Sequence, residues 1–119
     1  MTEYTLAIII PYFKIDFFEK TLSSLAQQTD QRFQVYIGDD ASPVPPTELL
    51  EKYQGKFNFS YKRFDNNLGS VSLSRQWERC AEMMQDEKWF MILGDDDFLS
   101  DNYVEEFYKH LDLAEKNNI

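Results

Sequence analysis

Thr5 to Ile10 reads Thr-Leu-Ala-Ile-Ile-Ile, a mostly aliphatic and β-branched run of the kind shown by a strand covered on both faces. Pro11 is expected to end it, because proline has no N–H to give a central ladder. Asp16 with Glu19 three residues on resembles a capping pair. Phe18, Leu22, Leu25 and Ala26 then recur at helical spacing as one apolar stripe. Phe33 to Ile37 predicts a second strand, closed by Gly38-Asp39-Asp40. After a loop holding Pro43, Pro45 and Pro46, Thr47 is placed to cap a short helix to about Tyr53. Phe57 to Phe64 alternates aromatic and polar residues and predicts a third strand, and Asp65-Asn66-Asn67-Leu68-Gly69 is a turn-rich loop. Leu73, Trp77, Ala81 and Met84 mark the buried side of the next helix. Lys88 to Leu93 is a fourth apolar strand. Ser100 is placed to cap a last helix buried through Tyr103, Val104, Phe107, Leu111 and Ala114.

Strands separated by helical crossovers imply a parallel sheet with helices on both faces. In open sheets of this kind ligands bind outside the carboxyl ends of the strands. Pro11-Tyr12-Phe13, Asp39-Asp40 and Asp95-Asp96-Asp97 each follow a predicted strand, so all three are expected on that one edge.

Composition narrows the ligand. Lys and Arg number 12 against 21 Asp and Glu, a formal net charge of -9. Such a chain is a poor nucleic-acid binder, since phosphate contacts need clustered Lys and Arg. It accommodates a phosphorylated ligand if a divalent cation screens the charge. With 119 residues, 43% of them apolar, the chain suffices for one domain with its own core, and no repeat or linker divides it. One cysteine, Cys80, precludes an internal disulfide and fits a reducing compartment. Met1 to Tyr4 lack the basic region of a secretion signal, and no apolar run is long enough for a bilayer, so the expected location is cytoplasmic.

Three adjacent carboxylates at Asp95-Asp96-Asp97 repel one another, and a fold that gathers them usually offsets the repulsion with a cation. Hard ions such as Mg²⁺ or Mn²⁺ take oxygen ligands, often one or two carboxylates plus substrate phosphates. The competing reading is a solvated acidic loop before the last helix. An EF-hand loop begun at Asp95 would put Leu99 and Ser100 where a ligand and a glycine are required, and is rejected. Asp39-Asp40 fits either acceptors for a base N–H or ribose hydroxyl, or Asx-turn chemistry before Ser42-Pro43. Asn67, Gly69 and Arg75 form a third group: glycine permits close backbone approach, and Arg75, early on a helix, suits a phosphate or simply the surface. Cys80 beside an apolar stripe reads as packing. A single Cys and a single His (His110) argue against a His-based triad or a His/Cys zinc cluster. There is no Gly-rich phosphate loop.

Taken together and in order, these clusters resemble the family-2 group of GT-A glycosyltransferases, which build bacterial polysaccharides and related glycans. The resemblance covers nearly the whole chain. Ile8-Ile9-Ile10-Pro11-Tyr12-Phe13-Lys14 is similar to the opening strand and Pro-Thr-Tyr-Asn-like turn, and Tyr36-Ile37-Gly38-Asp39-Asp40-Ala41-Ser42 to the Val-Asp-Asp-Gly-Ser motif. Asn67-Leu68-Gly69 and Ser74-Arg75-Gln76 resemble the Asn-x-Gly and Ala-Arg-Asn segments, and Leu93-Gly94-Asp95-Asp96-Asp97 the Asp-x-Asp region.

The implied fold is a Rossmann-like GT-A half, a mostly parallel sheet with helices on both faces, forming one nucleotide-sugar-binding domain over residues 1–119. The resemblance implies that Pro11, Tyr12, Asp39 and Asp40 line the nucleoside pocket, with Asn67, Gly69 and Arg75 near the base or diphosphate. Asp95 and Asp96 would reach the donor, and Asp96 with Asp97 would hold Mn²⁺ or Mg²⁺. The implied reaction transfers a sugar, with inversion, from a nucleotide-diphospho-sugar (a UDP-sugar foremost) to a glycan or lipid-linked acceptor. Gly94 stands where many members carry the first Asp, which leaves Asp95-x-Asp97 and Asp96-Asp97 both open. Ala41 replaces the usual Gly, and Gln76 the usual Asn. The catalytic base is expected beyond Ile119, in an absent acceptor region. A sheet edge left bare would favour homo-oligomers, and longer members would associate peripherally with membranes. The first alternative is a nucleotide-sugar-binding fragment without turnover. A receiver-like signalling domain is the second. It needs its acidic pair after the first strand, where Pro11-Tyr12 stand, and a phosphate-accepting Asp after the third.

Overall fold

The computed structural model describes residues 5–116, so the Met1–Tyr4 segment read for a secretion signal lies outside the described residues. Eight elements alternate: β1 (Leu6–Tyr12), α1 (Phe18–Ala26), β2 (Phe33–Asp39), α2 (Thr47–Lys52), β3 (Phe59–Arg63), α3 (Leu73–Ala81), β4 (Trp89–Ile92) and α4 (Tyr103–Lys116). The strands form one sheet in the order β3-β2-β1-β4, and every pairing is parallel. The expected α/β architecture is the one observed.

The route of the chain decides which face each helix covers. From β1 to β2 to β3 it steps one way across the sheet, and then it returns past both to β4. Right-handed crossovers put α1 and α2 on one face for the outward steps and α3 on the other for the return. The packing follows this division. Leu22 and Leu25 of α1, Leu50 of α2, and Val104 and Tyr108 of α4 join Ile8, Ile10, Val35 and Ile37 in the main core. Ala7, Ile9 and Tyr36 point the other way and meet Cys80 of α3.

Several local expectations change. β1 runs through Pro11 to Tyr12. Leu93 N–H donates to Ile9 O and Asp40 N–H to Tyr12 O, so alternate residues of β1 face β4 and β2. By that alternation the Pro11 nitrogen faces β4, whose pairing stops at Ile9–Ile92, and no ladder bond is lost there. Asp16 does not cap α1: Phe17 holds the N-cap position, with no side-chain bond. Pro46 precedes α2, and Thr47 is its first residue. Ser100 Oγ turns to Asn102 instead of capping α4. On α3 the buried positions are Gln76 and Cys80, while Leu73 and Trp77 stay exposed. Among the described residues α3 is alone on its face, and no neighbouring helix covers its flank. β4 is an edge strand paired with β1 alone, and Trp89 (52%) and Phe90 (54%) are exposed. Among the described residues no helix is long and apolar enough to cross a membrane.

α3 sits close to the sheet because Gly38 has no side chain. A Cβ there would collide with Cys80 Sγ and lie 3.0 Å from the Phe64 ring. Gly38→Ala should therefore destabilise the protein by about 1–3 kcal/mol in urea unfolding. Adding Cys80→Ala should recover part of the loss. A Gly38→Ala variant as stable as the parent would refute this packing.

Candidate functional site

Because the strands are parallel, their carboxyl ends share one edge, which carries the β1–α1 turn, Asp39-Asp40, Arg63 and the Gly94–Asp97 turn. Strands lie about 4.8 Å apart, so this edge spans about 14 Å from β3 to β4. The chain reverses its direction of travel between β1 and β4, and the turns that follow these two strands meet at that point of the edge. Phe13-Lys14 and Asp95-Asp96-Asp97 stand side by side there.

A carboxylate offers about four lone-pair positions, and counting those already taken separates fixed aspartates from open ones. Asp39 is fully buried. Its Oδ1 accepts the Ser42 N–H at 2.9 Å, the Asx-type bond that was one of the two readings open for it. Its Oδ2 accepts from Tyr61 Oη at 2.5 Å and from Arg63 Nη1 at 3.1 Å. Burial and then the bond to Asp39 push the Tyr61 phenol up to about 12, so it remains a donor. Asp40 is saturated. Leu68 N–H (2.7 Å) and Arg79 Nη2 (2.6 Å) donate to Oδ1, and Gly69 N–H (2.9 Å) and Asn67 Nδ2 (3.2 Å) to Oδ2. A Cβ at Gly69 would stand 2.6 Å from Asp40 Oδ2, which explains the glycine of the Asn-x-Gly segment. Between Asp40 and Ser42, Ala41 has φ 54°, the left-handed region that glycine enters freely.

The acidic triplet is divided in the same way. Asp95 Oδ2 accepts the main-chain N–H groups of Phe13 (2.7 Å) and Lys14 (2.8 Å), which ties the β4–α4 turn to the β1–α1 turn. Thr21 Oγ1 braces the same turn at Asp97 O, 2.5 Å away. The side chains of Asp96 and Asp97 are exposed and accept no bond among the described residues. Both converge over Gly94: a Cβ there would meet Asp97 Oδ2 at 2.7 Å and Asp96 Oδ1 at 3.2 Å. Among the described residues no group of three His, Cys, Asp or Glu side chains is arranged to hold a metal. A cation at this cradle would complete its shell with ligand oxygens, as Mg²⁺ commonly does.

The remaining expected residues fall into place around these. Pro11 is half-buried at the edge. Tyr12 is fully buried, with its ring 4.6 Å from Phe18 and its hydroxyl donating to Val44 O, so the exposed aromatic of the turn is Phe13. Arg75 is exposed in the first turn of α3 and stands apart from the Asp40 cluster. The arginine that meets Asp40 is Arg79, one turn later. Tyr61, Arg63 and Arg79 did not stand out in the sequence, and Phe13 did so only as part of the Pro11-Tyr12-Phe13 turn. For Arg79 a signal existed, since it adjoins Cys80 on a stripe that must touch the sheet. Beside this edge lies a cleft of 620 Å³ lined by Ile15, Val44 and Pro45 with Asp16, Glu19 and Glu48 against Lys52. Its carboxylate excess repels phosphate, so it is not where a diphosphate would rest. Burial, reinforced by the Asp40 charge and opposed by Arg79, pushes the Cys80 thiol up to about 12, which fits packing rather than nucleophilic chemistry.

The glycosyl transferase family 2 model matches residues 7–119. The chain belongs to that family. A search of curated proteins finds no match. Among solved structures, S. aureus TarS 1–349 in complex with UDP superposes with a TM-score of 0.82 at 19% identity, covering 97% of this chain and 33% of TarS 1–349. The same protein in complex with UDP-GlcNAc gives a TM-score of 0.82 at 19% identity over 97% of this chain and 32% of that one. At such identity the likeness shows the fold, a GT-A type α/β sheet. This family 2 chain spans about a third of the length of TarS 1–349.

Neighbouring aspartates should differ in what they contribute to stability. Asp95→Ala removes two charge-assisted bonds between the turns and should cost about 1–3 kcal/mol in urea unfolding. Asp96→Ala and Asp97→Ala should stay within about 0.5 kcal/mol of the parent. Equal effects at all three would contradict the division. Cys80 should resist iodoacetamide at neutral pH in the native protein and label fully once the chain is unfolded, as read by intact mass.

Proposed function

We propose that this chain is the donor-binding part of a glycosyltransferase that uses a nucleotide-diphospho-sugar. The observation that carries the reading is the pair of open carboxylates, Asp96 and Asp97, converging over Gly94 at the carboxyl end of β4, beside the β1–α1 turn. Every other aspartate of the three clusters has bonds that fix it in place. A divalent cation such as Mn²⁺ or Mg²⁺ fits this oxygen-only pair and would be held by Asp96 and Asp97 in preference to Asp95-x-Asp97. When bound it supplies positive charge against the diphosphate leaving group.

The protein's own residues position the donor along the edge. Phe13, exposed beside Asp95, presents a ring face suited to stacking on the base. Lys14 and Arg75, both exposed on this edge, supply positive charge for the diphosphate. Pro11 walls the pocket. Asp39, Asp40, Asn67, Gly69 and Asp95 act by holding the surrounding loops. UDP is the favoured nucleotide, because TarS, which shares the fold, is solved in complex with UDP and UDP-GlcNAc. In the transfer step an acceptor hydroxyl oxygen attacks the anomeric carbon as the carbon–oxygen bond to the diphosphate breaks, which inverts the configuration. The hydroxyl proton goes to a general base. We place that base, and the site for a glycan or lipid-linked acceptor, outside residues 1–119, in keeping with a chain that spans about a third of TarS 1–349.

Calorimetric titration of UDP with and without Mn²⁺ tests this reading. Metal-dependent binding should weaken at least tenfold in Asp96→Ala and in Asp97→Ala, a loss of about 1.4 kcal/mol or more. A folded parent protein that binds none of UDP, GDP and dTDP in Mn²⁺ would overturn it.

A further inference from the structure

Arg79 has an unusual density of commitments for a residue in the last turn of a surface helix. Its Nε donates to Gln76 Oε1 (2.5 Å), Nη1 to Asn66 Oδ1 (2.9 Å), and Nη2 to Asp40 Oδ1 (2.6 Å) and Asn66 O (2.8 Å). Its guanidinium also lies 4.0 Å from the centre of the Phe64 ring. Four of its five N–H donors are thus taken, and its side chain is 16% exposed. Asp40 passes the connection on through Leu68 N–H, Gly69 N–H and Asn67 Nδ2. One cation therefore joins the end of β2, the loop after β3 and the body of α3. The segment between, from Ser70 to Arg75, is fastened at both ends. Ser72 caps α3 within it by accepting the Arg75 N–H.

We propose that Arg79 is a positioning residue of the donor site: through Asp40 it fixes the Asn66–Gly69 loop and the start of α3, so that Arg75 faces the nucleotide. The inference rests on the donor-site reading above. Arg79 itself does not touch the ligand. It works as a planar fork, a geometry that a lysine ammonium reproduces in part, with one donor for Asp40 and none of the paired hold on Asn66. Removing its charge leaves the Asp40 carboxylate buried without its cation, and the loop shifts to readmit water.

The test combines UDP titration in Mn²⁺ with amide NMR on the same proteins. Arg79→Gln should weaken UDP roughly tenfold. Arg75→Gln should weaken UDP in the parent but add nothing in the Arg79→Gln background, because a misplaced Arg75 has no contact left to lose. The Leu68 and Gly69 amide protons should move and exchange faster in Arg79→Gln, and Arg79→Lys should recover part of both effects. If Arg79→Gln fails to fold, Arg79→Lys carries the same comparison with Arg75→Gln. Parental UDP affinity in the Arg79 variants, or additive losses at Arg75 and Arg79, would overturn the proposal. A parent that binds no nucleotide would overturn the donor-site reading alone. In that case loosened Leu68 and Gly69 amides would still support the Arg79 clamp, and unchanged amides would sink it.

Discussion

Asp95 Oδ2 receives two main-chain N–H groups from Phe13 and Lys14, across the place where two parallel strands part company. Nothing in a ladder holds the chain there. β4 leaves β1 at Ile92, β1 continues through Pro11, and proline offers no N–H toward the departing strand. A charge-assisted pair of bonds from one side chain replaces the missing ladder. With the gap bridged, Phe13 is presented on one side and Asp96 and Asp97 on the other. The two turns lie together because β1 and β4 are neighbours, and their relative position is defined because Asp95 joins them.

Much of this was legible in the residues. The order of apolar runs and stripes gave the alternating elements, and the placement of the acidic clusters after strands gave the shared edge. The division of labour among the aspartates was not legible, because it depends on hydrogen bonds between residues far apart in sequence: Asp39 with Tyr61 and Arg63, Asp40 with Leu68 and Arg79, Asp95 with Phe13. Periodicity also misjudged α3. A helix alone on its face buries the positions that touch the sheet, Gln76 and Cys80, and leaves Leu73 and Trp77 open. Tyr12 was the residue expected to line the nucleoside pocket, and the extension of β1 by two residues turned it inward and left its neighbour Phe13 exposed.

The acidity of the chain takes on a local meaning. A net charge of -9 spread over the surface would say little about a site. Here the clustered carboxylates are answered one at a time, Asp39 by Arg63, Asp40 by Arg79 and Asp95 by main-chain N–H groups. What is left unanswered is concentrated in two side chains over a glycine. Gly94 is part of that arrangement: a larger residue would occupy the space into which Asp96 and Asp97 turn.

Among the described residues β4 is short, bordered on one side only, and bears exposed aromatic residues, yet it carries the acidic turn on its end. An edge strand held by a single ladder opens at lower free energy than the central strands beside it. The turn therefore hangs from one of the two edge strands of the described sheet and not from its centre. Any ligand that grips it also selects the closed form of β4, so occupancy at the turn and local order in the strand are linked quantities, each raising the other by the same free energy.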